Sequence, residues 1–337
     1  MKENEKISVA VVGSGYWGKN LVRNFARLEA LTCICDKNKA VLENQSKYYP
    51  GLQLTTNFKE VLSDKNIKAV VIATPAALHY SQVKEAILKG KDVFVEKPLA
   101  LCYQQGLELV ELAEEYGTVL MIGHILEYHP AVTLLKEIIK RGDLGQLWYM
   151  YSNRLNLGKV RQEENILWSF APHDISVICS IVGKEPIYVS TSGGNYLQDG
   201  IADLTVTDLV FENGIRAHIF VSWLHPYKEQ KLVIIGDQKM AVFNDTVQEG
   251  KLKIFDKGIE WKAGTPVPRQ TSESILFFEK TEPMVLECQH FLECIRERKK
   301  PLTDGKNALL VLKVLEASQR SLERKGDPVY LNEFNNS

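Results

Sequence analysis

The chain has 337 residues, 45% of them hydrophobic and 25% charged, with a formal net charge of −1. That balance excludes a disordered chain and leaves room for two domains of ordinary size. Near-neutral charge offers no basic field for nucleic acid, and no apolar run reaches the roughly 20 residues of a membrane span. The charged start, Met1 to Lys6, leads into a strand with no signal peptide, so the expected location is the cytoplasm, without a membrane partner. Six cysteines (Cys33, Cys35, Cys102, Cys179, Cys288 and Cys294) form no CxxC pair and no zinc spacing with histidine, so reduced thiols and no metal are expected.

The first element is an apolar strand at 7–12, followed by Gly13-Ser14-Gly15-Tyr16-Trp17-Gly18. A helical pattern with Leu21, Val22, Phe25, Ala26 and Leu28 on one side comes next. A second strand, Leu31-Thr32-Cys33-Ile34-Cys35, then ends on Asp36, eighteen residues after Gly18. Strand, glycine turn, helix, strand and acid in that order form the dinucleotide-binding fingerprint. Gly13 permits the tight turn, Gly15 lets backbone approach a pyrophosphate, and Gly18 lets the helix pack close to the strand. Tyr16 and Trp17 lie in the same loop, and the helix N-terminus offers free N–H groups to phosphate. Asp36 can accept from both ribose hydroxyls and repels a 2′-phosphate, which selects NAD over NADP, although Lys37 beside it could turn toward a phosphate.

Further apolar runs at 69–73, 93–95 and 119–122 alternate with helical stretches near 38–48, 58–63, 80–89 and 104–116. Continuous rather than alternating apolar strands mark a parallel sheet covered on both faces. Residues 1–123 are therefore expected to form a doubly wound dinucleotide-binding domain. Ligands of such sheets bind outside the carboxyl ends of the strands. Two more segments fall there: Thr74-Pro75 with His79, and Glu96-Lys97-Pro98. His79 either contacts cofactor or makes local bonds at the start of its helix. Lys97, with Glu96 to orient it, can stabilise an alkoxide or accept a proton; the plain alternative is an exposed loop lysine.

Past His129-Pro130 the rhythm changes. A helix, Ala131 to Lys140, ends at Arg141-Gly142. Strand-like runs follow at 146–155, 187–192, 203–211, 215–223 and 231–236 without intervening helices, apart from one around Pro172, which implies an antiparallel sheet. Asn213-Gly214 signals a hairpin. Run 215–223 places Ile215, Ala217, Ile219, Val221 and Trp223 on one face, against Arg216, His218, Phe220 and Ser222. Helices at 284–298 and 307–324 close a second domain, expected over 124–337, that binds substrate and carries the oligomer contact. Pro172 suits the first turn of a helix, which would put His173 near a helix N-terminus as a neutral acid/base group between Trp168 and Asp174.

These residues resemble the glucose–fructose oxidoreductase, inositol dehydrogenase and MocA family. The resemblance runs through the glycine fingerprint, Thr74-Pro75 with His79, Glu96-Lys97-Pro98, Gly123 with Tyr128 to Pro130, and the helix at His173. It implies an NAD(P)-dependent oxidoreductase of α/β class: a Rossmann doubly wound parallel sheet plus an α/β domain with a large open, mostly antiparallel sheet. It also implies a homodimer or homotetramer, with Lys97 and His173 lining the reacting carbon. The stretches Tyr151 to Gly158 and Asn165 to Trp168, with Ala171 to Asp174, look like the subgroup of UDP-N-acetylglucosaminuronate 3-dehydrogenases of surface-polysaccharide pathways. On that reading Arg154, Asn156, Lys159, Arg161 and Trp168 bind a nucleotide sugar, with Arg154 pairing its carboxylate. One position departs from the pattern: Ser169 stands where the family carries Asp, four residues before the histidine. The alternatives are a dehydrogenase or reductase of a free sugar, an inositol or a 3-keto deoxysugar, or a nonenzymatic NAD-binding regulator.

Overall fold

The computed structural model describes residues 6–158 and 160–336. In chain order the elements begin β1 (Val9–Val12), α1 (Gly18–Arg27), β2 (Leu31–Cys35), α2 (Lys39–Tyr48), β3 (Gln53–Thr55), α3 (Phe58–Ser63) and β4 (Ala69–Ile72). They continue α4 (His79–Leu88), β5 (Asp92–Glu96), α5 (Tyr103–Glu115), β6 (Leu120–Gly123), α6 (Pro130–Lys140), β7 (Leu147–Leu155) and α7 (Ile166–Val182). Then come β8 (Tyr188–Gly194), β9 (Leu204–Val210), β10 (Arg216–Ser222), β11 (Glu229–Gly236) and β12 (Met240–Asn244). The chain ends with β13 (Leu252–Lys262), β14 (Thr265–Leu276), α8 (Pro283–Glu297), α9 (Gly305–Glu323) and β15 (Val329–Tyr330).

Two compact units result. The first holds residues 1–125 and 281–312; the second holds 126–280 and 313–337. The expected boundary at 123 thus needs a correction, because α8 and the start of α9 return to the first unit. The cause is local packing. Phe291 of α8 meets Phe25 of α1 and Phe94 of β5, with ring centroids 6.4 and 5.7 Å away. Arg298 after α8 makes two bonds to Asp92, at 3.0 and 2.8 Å.

In the first unit, six strands among the described residues run parallel in the order β3-β2-β1-β4-β5-β6. This is the doubly wound order, with its crevice at the carboxyl ends of β1 and β4. β1, β4 and the first four residues of β5 are wholly buried, as their unbroken apolar sequence requires.

In the second unit the order among the described residues is β14-β13-β12-β11-β7-β10-β9-β8-β15. The pairing is antiparallel except between β7 and β10, which run parallel at the centre. β9 and β10 form the expected hairpin, with Gly214 at φ +80°. On β10 the apolar face is the buried one: Ile219 is 1% exposed and Val221 0%. α7 lies across β7, β9 and β10. β12, β13 and β14 carry no expectation from the sequence. β13 and β14 bury little, so no apolar alternation marks them, and Pro266 and Pro268 fit only because β14 is an edge strand. Their turn is Ala263-Gly264, both at positive φ (+50° and +80°), as a two-residue type I′ hairpin demands.

α7 also corrects the sequence reading. It starts at Ile166, capped by Asn165, whose Oδ1 accepts the Trp168 N–H at 3.2 Å. Pro172 therefore sits inside the helix, and His173 lies two turns from the N-terminus, beyond the reach of the helix-end dipole.

Candidate active site

The glycine cradle occupies the carboxyl end of β1. Gly13 has φ +87°, and a Cβ there would stand 2.7 Å from the Ala73 carbonyl oxygen. A Cβ on Gly18 would stand 2.0 Å from the Gly13 oxygen, so both positions exclude any side chain. Above Gly15 nothing lies within 4 Å, which is the open approach a pyrophosphate needs. No side chain caps α1 and no acid lies in its first turn, while the Lys19 and Asn20 N–H groups bond the loop carbonyls of Gly15 and Trp17 at 3.2 and 2.9 Å. Asp36 is fixed at the rim: Ser14 N–H donates to Oδ2 at 2.8 Å and Asn38 N–H to Oδ1 at 2.9 Å. Its remaining lone pairs can accept from ribose hydroxyls. These residues fit a dinucleotide. Tyr16 is 87% exposed in this loop, while Trp17 turns its indole N–H to Glu96 Oε1 at 2.5 Å.

Two more loops lie at neighbouring strand ends. Thr74 Oγ donates to Gln82 at 2.6 Å and Pro75 precedes a short 3₁₀ turn. His79 resolves its two readings: it is buried, with ring nitrogens 2.7 Å from the Pro98 carbonyl oxygen and 2.9 Å from that of Thr74. It clips the Thr74 loop to the Lys97-Pro98 loop, the local bonding that its second reading describes. Lys97 is half-buried and its bond to Pro98 is cis. Burial pushes the Glu96 carboxyl up to about 7, against the opposing pull of Trp17 and Lys97. His124, after β6, is a group the sequence reading missed. It is 2% exposed, and burial together with the charge of Lys97 drives it down to about 3, so it stays neutral. Its place at a strand's carboxyl end was the available signal.

The second unit carries the other expected residues. Ser152 and Arg154 share one face of β7, as strand alternation predicts, and both turn onto Asp174 of α7. Arg154 Nε and Nη2 lie 2.7 and 3.1 Å from the Asp174 oxygens, and Ser152 Oγ donates at 2.6 Å. Burial opposes the guanidinium charge, yet the Asp174 carboxylate outweighs it and raises the Arg154 pKa. The gap lined by Arg154, Asp174, Lys231, Phe243 and Asp245 measures about 10 Å³, room for one water. Asp245 is held near 2, because hydrogen bonds from His129 and Lys251 overcome its burial.

Two nitrogens of Arg154, the residue expected to read a substrate carboxylate, are thus already paired with Asp174. Arg161 pairs with Glu164 at 3.2 Å on an exposed stretch, and Lys159 lies outside the described residues. Asn156 follows β7, its N–H bonded to Ser222 oxygen at 3.1 Å. His173 and Trp168 are half-buried on α7, five residues and so about 140° apart around the helix. Asp174 points away from His173, toward β7.

Residues 7–124 match the NAD-binding Rossmann fold of the GFO/IDH/MocA oxidoreductases, and residues 132–242 match the GFO/IDH/MocA C-terminal domain. The chain belongs to this family. It is an NAD-binding oxidoreductase. Among relatives, scyllo-inositol 2-dehydrogenase (NAD(+)) of Bacillus subtilis is 26% identical over 97% of each chain. UDP-N-acetylglucosamine 3-dehydrogenase of Acidithiobacillus ferrooxidans is 24% identical over 88% of this chain and 90% of its own. A solved structure of that enzyme superposes with a TM-score of 0.83 at 22% identity, over 95% and 98% of the two chains. A 2,7-anhydro-N-acetylneuraminate hydratase of Mediterraneibacter gnavus is 29% identical over 61% of this chain and 58% of its own. Members of this family thus differ in the reaction they run. Among the described residues no cluster of His, Cys, Asp and Glu could hold a metal, and no helix is long and apolar enough to cross a membrane.

Proposed function

We propose that this family member oxidises a secondary alcohol of a sugar, with C3 of a UDP-linked N-acetylhexosamine as the first choice, on the way to a surface-polysaccharide sugar. The observation that carries this is the Glu96-Lys97-Pro98 loop at the end of β5, clipped by His79 to the Thr74 loop and joined by Trp17 to the glycine cradle. The bound nicotinamide supplies the hydride acceptor. Gly13, Gly15, Gly18 and Asp36 hold its dinucleotide. The Lys97 ammonium stabilises the alkoxide that develops as the hydroxyl proton leaves for the acid/base group. His173 is the acid/base group assigned in the second unit.

The near full-length likeness to a UDP-N-acetylglucosamine 3-dehydrogenase supports the substrate class. Arg154 held by Asp174, and Arg161 by Glu164, favour the neutral N-acetylglucosamine form over the uronate. The second reading, an inositol, rests on the 97% coverage of the inositol dehydrogenase. The test is NADH formation with UDP-N-acetylglucosamine, its uronate and scyllo-inositol, each with and without 2-oxoglutarate as a second oxidant. Turnover of the UDP-sugars is expected. Turnover of inositol alone moves the assignment to the second reading, and NAD that binds without ever being reduced makes the protein a regulator.

A further inference from the structure

Beneath the Lys97 loop, three elements of the first unit build two stacked layers. The lower is apolar: Phe25 of α1, Phe94 of β5 and Phe291 of α8 meet with centroids 6.4, 6.4 and 5.7 Å apart. Two residues beyond Phe94 on the same strand face is Glu96. Four residues before Phe291 on the same helix face is Glu287. Glu282 meets Arg23 while Phe291 meets Phe25 and Phe94, so α8 runs alongside α1 and against β5. Two strand residues rise about 6.6 Å and four helix residues about 6 Å, which sets both carboxyls in the layer above the phenylalanines. Trp17, at the start of α1, joins that layer through its bond to Glu96 Oε1. Glu96 Oε2 faces Gly123, where a Cβ would lie only 2.9 Å away. Glu287 is 1% exposed, and no group among the described residues donates to its Oε1.

We propose that Glu96 and Glu287 act as one carboxyl pair, in which Glu287 keeps a proton and Glu96 carries the negative charge beside Lys97. Glu287 is then a positioning residue for the Glu96-Lys97-Pro98 loop, a role that rests on the function given to Lys97 above. Two buried anions in one layer repel each other strongly, so one of them keeps its proton. Burial raises both carboxyls, and the Glu96 charge lifts Glu287 further, well above the carboxylate range.

The neighbouring groups leave this arrangement in place. Cys288 remains a thiol, through burial first and then the charges of Glu96 and Glu282. His124 is neutral, and Glu282 is engaged by Arg23 at the start of α8. Lys97 is the cation acting on Glu96. With Glu287 neutral, the ionised Glu96 makes a charge-assisted bond to Trp17, which ties the cofactor loop to the lysine loop.

The test begins with the full chain free of cofactor. Urea unfolding of wild type, Glu287→Gln, Glu96→Gln and the double variant is measured between about pH 5 and pH 8. A carboxyl raised in the fold gives stability that is full below its unfolded pKa and is lost as pH rises. The wild-type unfolding constant should therefore climb relative to Glu287→Gln by about tenfold per pH unit. The coupling between positions 96 and 287 should also change with pH. A flat ratio, or additivity at every pH, overturns the pair.

If the Gln variant does not fold, infrared spectra of wild type and Glu287→Asp decide instead. A buried protonated-carboxyl C=O band should persist above neutral pH and shift with Asp; its absence overturns the proposal. For the positioning role, Glu287→Leu should lose about tenfold more turnover than Glu287→Gln. Equal losses make Glu287 mere packing. The cofactor-free measurements stand whether or not a sugar is oxidised, so failure of the substrate reading is told apart.

Discussion

Lys97 is useful only where its neighbours put it, between a carboxylate held by Trp17 and a proline whose carbonyl is held by His79. Methionine keeps the stem and removes the charge. Lys97→Met should therefore bind NAD normally and lose roughly 10²–10⁴ in kcat, as positioned proton-transfer groups do. Fluorescence titration with NAD and steady-state assays separate the two effects, and a variant that keeps most of its activity moves the chemistry to another residue. Asp36 works by the opposite logic, through a charge held still. Two main-chain N–H groups fix its carboxylate, so a 2′-phosphate cannot escape a like charge. NADP should bind roughly a hundredfold more weakly than NAD, given several kcal/mol for a like-charge contact. Equal affinities by calorimetry would remove that role from Asp36.

At the level of elements, the buried pair Arg154–Asp174 joins β7 to α7, with side chains 11% and 5% exposed. Its loss should appear in stability and not in the choice between uronate and neutral sugar. Arg154→Ala strands Asp174 without its partner and should cost about 3–5 kcal/mol in urea unfolding, while Arg154→Met with Asp174→Leu recovers most of it. A stable Arg154→Ala that merely loses preference for the uronate would return Arg154 to the substrate. Asn165→Ala removes the cap of α7 and should cost about 1 kcal/mol. The pair shows where sequence reading stops. Alternation along β7 puts Ser152 and Arg154 on one face, correctly. What they face depends on where α7 begins, and Pro172 is a better start signal locally than Asn165. The apolar residues before Pro172 (Ile166, Leu167, Ala171) are buried, and the helix extends through the proline.

Across the whole molecule, what was legible follows burial. The parallel strands of the first unit are buried on both faces and read directly as apolar runs, and the glycine cradle reads from sterics alone. β13 and β14 bury little and left no pattern, while Glu287 and His124 act through neighbours far away in sequence. The second sheet also carries a surface that its own helix does not cover. On the face opposite α7, Tyr151 and His218 stack with centroids 5.1 Å apart and planes 3° from parallel. Tyr149 and Phe220 stand on the same face, in register with Arg216 and Asn153. A row of part-exposed aromatics on the central strands of an open sheet suits a self-complementary contact between two copies of the chain. The protein is therefore expected to be a dimer or larger at micromolar concentration, as sedimentation equilibrium will report. Phe220→Glu with Tyr149→Glu places like charges at the middle of such an interface and should shift it to monomer. Neither side chain contributes to the buried face of the sheet, so the melting behaviour of the isolated protomer should change little. A wild-type monomer, or a variant that stays assembled, would mean that this aromatic face serves some other contact.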